Sequence, residues 1–190
     1  MMENRNEQLV FVYGWQLDTE LLAQYCPGAR VVATGRLAGY DLGFFGHTPK
    51  WEGAEEALVA KSGSEVWGRV LALSAAGAER MDGMLNVHGD GSGSYFHYPA
   101  DVEGSDGQRY ETLTYMKTAL REPRTPSDEY KQRLIAGALA HGLPLAYIAR
   151  LRAVAAHALR AQWPQSAINV RAPAGRQRAQ MQRLREGVPT

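Results

Sequence analysis

The residues Leu9-Val10-Phe11-Val12-Tyr13-Gly14-Trp15-Gln16-Leu17 set an apolar, β-branched and aromatic run directly before a glycine. A helical pattern opens just after them, at Asp18-Thr19-Glu20. The apolar run reads as a short buried strand, and Gly14 reaches backbone conformations closed to other residues. A strand, a tight turn and a helix start in so few residues gather several backbone N–H groups at one point. Such a cluster suits a carboxylate or a phosphate. The same residues also describe an ordinary βα turn whose glycine only satisfies geometry, and a short motif alone does not separate the two. Other reactive side chains offer less. Cys26 stands beside Pro27 and Gly28 without a nearby histidine and reads as a structural thiol. His47, His97, His141 and His157 have no metal-ligand spacing with each other or with Cys26, so no metal site is expected.

The elements that must position this loop follow in order. Thr19 to Tyr25 reads as a short helix capped near Asp18 or Thr19 and stopped by Pro27-Gly28. Arg30 to Leu37 and Tyr40 to Phe45 read as two strands, with an irregular connection from Gly46 to Glu56. Ala57 to Lys61 and Glu65 to Leu73 read as a hairpin turning at Ser62-Gly63-Ser64. Ser74 caps a helix reaching Met84, and His88 to Ser94 (HGDGSGS) is a flexible loop. Tyr95 to Val102, carrying Pro99 as a mark of an edge or bulge, pairs in sequence with Arg109 to Met116. Ser127 caps an amphipathic helix with Gly142 past its end. Pro144 begins another helix, expected to run to about Leu159. Strands early and helices late give an α+β chain: a small, mostly antiparallel β-barrel or curled sheet with helices outside it.

Composition narrows the function. The chain has 190 residues, 45% of them hydrophobic and 22% charged, values of a globular chain with one real core. A formal net charge of +1 supplies no global field for nucleic acid or an acidic membrane. No stretch has the length and apolarity of a transmembrane helix, and Met1 to Gln8 is polar, unlike a signal peptide. The single cysteine precludes an internal disulfide and fits a reducing cytoplasm. The expected division is an N-terminal extension at 1–8, one domain at 9–160 and a basic, partly disordered tail at 161–190.

Taken in order, these segments resemble the γ-glutamylcyclotransferase family within the AIG2-like superfamily. Phe11-Val12-Tyr13-Gly14-Trp15-Gln16-Leu17 stands where that family has aromatic-x-Tyr-Gly-Ser-Asn-Leu. Gly35-Arg36-Leu37 with Tyr40, Trp51-Glu52-Gly53, Val66-Trp67-Gly68 and Met81-Asp82 follow. Tyr95, Thr114-Tyr115, Pro126-Ser127-x-x-Tyr130, Gly137-Ala138 and Gly142-Leu143-Pro144-x-x-Tyr147 complete the series. The resemblance implies a small barrel flanked by helices with a cavity at one end. It implies cleavage of a γ-glutamyl amide by intramolecular attack of the glutamyl α-amine, releasing an amine and 5-oxoproline without a cofactor. Loop donors would hold the substrate, and a glutamate in Leu-Asp-x-x-Glu would move the proton. Five-membered ring closure gains from proximity, leaving the proton shuttle and oxyanion donors to the protein.

One position breaks the pattern: counting from Asp82, the family glutamate falls at Leu85, which carries no proton. Trp15 and Gln16 replace the small serine and the asparagine of the loop, whose backbone donors do not depend on side-chain identity. Three groups stand near enough in sequence to substitute as acid or base: Asp82, whose alternative role is structural at a helix end, and His88 and Asp90, whose alternative is solvent exposure. Glu55 and Glu56 lie at a strand entrance, where alternation turns at least one to water. Tyr13, Gly14, Trp15, Gln16, Leu17, Leu85, Tyr95, Tyr115 and Tyr130 are the expected substrate-binding residues. The expected partner is a small molecule carrying an amide and a carboxylate, with no membrane or nucleic-acid partner; monomer and homodimer both remain open. The alternatives are another acyl transfer, such as lactam formation, and a non-catalytic binding protein of the same fold.

Overall fold

The structure, a computed structural model, describes residues 7–156; the expected basic tail lies outside them. Strand β1 (Gln8–Val12) leads through Tyr13-Gly14 into a single 3₁₀ turn, Trp15–Leu17, and then helix α1 (Thr19–Tyr25). Asp18 caps α1 by accepting from the Glu20 and Leu21 amides at 3.0 and 3.1 Å. After β2 (Arg30–Thr48) and β3 (Gly53–Leu73) come α2 (Ala75–Leu85), β4 (Tyr95–Gly104), β5 (Arg109–Lys117), α3 (Asp128–Ala140) and α4 (Leu145–Ala153). Ser74 and Ser127 cap α2 and α3 through their hydroxyls. These caps give first-turn amides the partners that a helix start otherwise lacks.

The five strands close into a barrel in the order β1-β3-β2-β4-β5, an α+β architecture with the four helices flanking it. Every strand pairing is antiparallel except the one that closes the circle. There β1 and β5 run parallel, with Val10 opposite Leu113 and Phe11 opposite Thr114. The Thr114 hydroxyl donates to the Phe11 carbonyl at 3.0 Å across that seam.

Three expectations are corrected. The strands expected at Arg30–Leu37 and Tyr40–Phe45 are one, and so are those at Ala57–Lys61 and Glu65–Leu73. Ser62-Gly63-Ser64 is not a hairpin turn. β2 and β3 pair along their length, and the partner changes from Glu65 opposite Ala38 to Ala60 opposite Tyr40. The turn residues are absorbed as a bulge, because both strands keep burying apolar residues beyond it. The hairpin turns instead between Thr48 and Gly53, inside the stretch expected to be irregular, with Glu52 at a φ of 49°. The last helix ends at Ala153, where Val154 becomes extended, and does not reach Leu159.

Two apolar clusters fill the molecule. One joins Val10, Val12 and Leu71 to Ala78, Met81 and Leu85 of α2. The other joins Phe11, Val66 and Val70 to Ile135, Ala138, Ile148 and Leu151 of α3 and α4. Alternate residues of β1 therefore feed different clusters, which fixes the strand between them. Close approach fixes the loop that follows. A Cβ on Gly137 of α3 would meet the Leu17 backbone at 2.7 Å. Gly137→Ala is therefore expected to overpack the α3–loop contact and cost about 1–3 kcal/mol, read as a lower urea midpoint at unchanged m-value.

Candidate active site

The site forms where the turn after β1 meets the start of β3. Phe11, Val12, Tyr13, Trp15 and Gln16 line one side of a small space, and Leu85, Tyr95 and Tyr115 line the others. Into this space β3 delivers Glu56, which is 6% exposed. Its carboxyl lies directly against Gly14: a Cβ there would come within 1.6 Å of Glu56 Oε1. No residue with a side chain fits at position 14 while Glu56 stands in this place. On the far side the Tyr130 hydroxyl, fully buried, donates to Glu56 Oε2.

This environment changes the acid. Burial, followed by the neighbouring Glu55 carboxylate, pushes the Glu56 carboxyl above the ordinary glutamate range; the Tyr130 hydrogen bond opposes that shift. Tyr95 and Tyr130 are raised in turn, chiefly by burial and then by the Glu56 charge. A buried carboxyl with a raised pKa can exchange protons nearer neutral pH than a solvated one can.

The loop is also held from outside the space. The Tyr13 hydroxyl donates to the Tyr115 carbonyl at 2.8 Å. The Trp15 ring meets Tyr25 edge-on with centroids 5.6 Å apart. Lys50 Nζ stands 5.0 Å from Trp15, 4.9 Å from Tyr25 and 4.8 Å from Trp51, measured to the ring centroids, a threefold cation–π contact. Trp51 in turn packs on Tyr130 at 4.6 Å. Behind the turn, His141 Nε2 lies 3.1 Å from the Leu17 carbonyl and 2.7 Å from an Arg69 guanidinium nitrogen. Burial and the Arg69 charge lower the His141 pKa, and the Arg69 guanidinium can only donate in its contact with Nε2.

The structure thus brings Tyr13, Gly14, Trp15, Gln16, Leu85, Tyr95, Tyr115 and Tyr130 together around one carboxyl. Leu17 is buried as part of the turn, its amide bonded to the Gly14 carbonyl at 2.9 Å. Asp82 accepts from the Tyr115 hydroxyl at 2.6 Å and pairs with His97 Nε2 at 2.8 Å, holding one wall of the site. His88 and Asp90 are exposed on their loop, and both bond to Ser92. Neither lines the space around Glu56. Glu56 is the residue that sequence reasoning passed over. Its signal was phase: with Ala54 and Leu58, both buried, it makes a run of alternate inward positions on β3.

A closed five-stranded barrel flanked by four helices is the γ-glutamylcyclotransferase-like fold. The AIG2-like family matches residues 65–151. A curated γ-glutamylcyclotransferase of Homo sapiens is 30% identical over 150 residues, covering 77% of this chain and 78% of that protein. The Bos taurus protein of the same name is 29% identical over the same shares. A solved γ-glutamyl cyclotransferase structure superposes with a TM-score of 0.73 at 28% identity, covering 80% of this chain and 90% of that one. An ensemble-refined crystal structure of an uncharacterized Homo sapiens protein gives 0.76 at 27% identity, over 85% of this chain and 95% of that one. The chain belongs to the γ-glutamylcyclotransferase family. No helix among the described residues is long and apolar enough to cross a membrane.

The raised pKa of Glu56 has a consequence for stability. Because the folded state penalises the charged form, any stabilisation tied to the neutral acid is fully present below the unfolded glutamate pKa and is lost as pH rises through the folded one. Glu56→Gln keeps an acceptor for Tyr130 and cannot ionise. Its stability relative to the parent is expected to improve as pH rises above the ordinary glutamate range, and to level off once the folded-state carboxyl has ionised, in urea titrations.

Proposed function

We propose that this protein cleaves a γ-glutamyl amide of a small molecule by intramolecular acyl transfer, releasing 5-oxoproline and an amine, with Glu56 as the proton-transferring group. The observation that carries the reading is the buried carboxyl against Gly14, facing Leu85 across the same space. At position 85 α2 carries a leucine in place of an acid, and β3 brings the Glu56 carboxyl to the same space. In the proposed reaction the ionised Glu56 takes a proton from the substrate α-ammonium. The freed amine attacks the side-chain carbonyl, and the oxyanion is held by backbone N–H groups of the turn. Glu56 then returns that proton to the departing amine, and the ring nitrogen loses its remaining extra proton to the released amine, which leaves as an ammonium. Tyr130, which donates to the carboxyl, favours the ionised form and orients it. The lone free thiol of Cys26, which is buried, supports a cytoplasmic setting.

A second reading has its own observation. The free space beside Glu56 is about 10 Å³, no more than one water. The carboxyl itself occupies the position a ligand would take at Gly14. As a catalyst, the protein must let the glutamyl group displace that carboxyl sideways. As a non-catalytic descendant, it would use Glu56 as a permanent filling.

Incubation with γ-glutamyl amino acids and γ-glutamyl amines, followed by 5-oxoproline detection, separates the two. The catalytic reading expects product, a loss of about 10²–10⁴-fold in kcat/KM for Glu56→Gln, and an acidic limb of the pH profile above the usual carboxylate range. No product from any substrate, with 5-oxoproline binding gained in Glu56→Ala, establishes the filling instead.

A further inference from the structure

Two charged side chains stand beside Glu56, one of each sign, and both are largely shielded from water. Glu55 precedes Glu56 on β3, so the two carboxylates leave the chain one peptide apart, and the Glu55 side chain is 18% exposed. Lys117, at the end of β5, reaches the same place with a side chain 12% exposed. Its Nζ lies 3.7 Å from Glu55 Oε2 and 5.7 Å from the Tyr95 ring centroid. At 3.7 Å the two charges attract each other beyond ordinary hydrogen-bond length. Tyr95 lines the space around Glu56, so Lys117 stands at one wall of that space.

The other groups that feel Glu56 stay neutral. Tyr13 of the turn, Tyr95 of β4, Tyr130 of α3 and Tyr147 of α4 all respond to its charge, and burial pushes each hydroxyl well above the ordinary tyrosine value. From α2, Leu85 lines the space and Asp82 is held by Tyr115 and His97. The Glu56 carboxyl therefore sits between one nearby anion and one nearby cation, which act on it in opposite senses. A like charge within a few ångströms disfavours ionisation of a carboxyl, and an opposite charge favours it.

We propose that Glu55 and Lys117 form an electrostatic couple that sets how readily Glu56 takes up and releases its proton. Both are positioning residues that act through Glu56. The use made of that proton rests on the γ-glutamyl reading above, in which Glu56 must accept it from an α-ammonium and return it. A general base serves best when its proton affinity matches the working pH. Burial drives the carboxyl toward its neutral form, and Lys117 adds its charge to the Tyr130 hydrogen bond in opposing that drift. Glu55 tempers Lys117, so that the carboxyl remains basic enough to take a proton.

The experiment follows Glu56 both directly and through turnover. The ¹³C resonance of its carboxyl, assigned by its loss in Glu56→Gln, is titrated in the parent, Lys117→Met, Glu55→Gln and the double variant. For the same four proteins the pH profile of kcat/KM is recorded for 5-oxoproline release from γ-glutamylalanine. Lys117→Met should move the carboxyl midpoint and the acidic limb up by about one pH unit, and Glu55→Gln should move both down by a similar amount. The double variant should fall between the two, and Lys117→Arg should restore the parent values. A packing role alone leaves the midpoints in place or moves them in the same direction, and either result overturns the couple. Opposed shifts of the carboxyl midpoint without 5-oxoproline from any protein support the couple and overturn the cyclotransferase reading. Release of 5-oxoproline with unmoved midpoints does the reverse.

Discussion

A carboxyl out of water is the constraint on which the rest of the site depends. Glu56 accepts from Tyr130 on one side and lies against a glycine without a Cβ on the other. A buried acid is tolerated only where its lone pairs find donors or its proton is retained, and this site offers both routes. The surrounding residues follow from that need. Position 14 must be glycine because the carboxyl stands there. Tyr130 must come from α3, whose cap at Ser127 sets the height of its first turn. Trp51 rests on the Tyr130 ring, and Lys50 ties Trp51 to Trp15 on the loop itself.

Much of this arrangement was legible in the chain before folding was considered. The run from Phe11 to Leu17, the three helix caps and the tyrosines at 95, 115 and 130 all mark local chemistry that survives in three dimensions. So does the absence of an acid at Leu85, which does line the site. Glu56 was not legible in the same way. Its neighbours Glu52 and Glu55 make the segment look solvated, and only the strand register separates one glutamate facing the turn from the other facing Lys117. The Ser62-Gly63-Ser64 bulge was obscured for a related reason. Turn-forming residues specify a local departure from regular backbone, and whether that departure reverses the strand or merely kinks it is decided by the partner strand.

The family resemblance gives Leu85 a physical meaning. The resemblance expects the acid on α2, on the same side as Met81 and Asp82. Here α2 contributes an apolar Leu85 to its core cluster, while Asp82 is held by Tyr115 and His97. The helix forms a packed wall here, and the buried carboxyl of Glu56 stands on β3 across the same small space.

The parallel seam between β1 and β5 bears on how the molecule assembles. Its contacts join residues 103 positions apart, and only two residue pairs define its register. The long β2–β3 hairpin and the β4–β5 pair can form from neighbouring segments of chain, but the circle cannot close until the fifth strand has arrived. Loop-closure entropy places such a contact late in folding. The turn that carries Gly14 follows directly from β1, so the site takes its final form only when the barrel does.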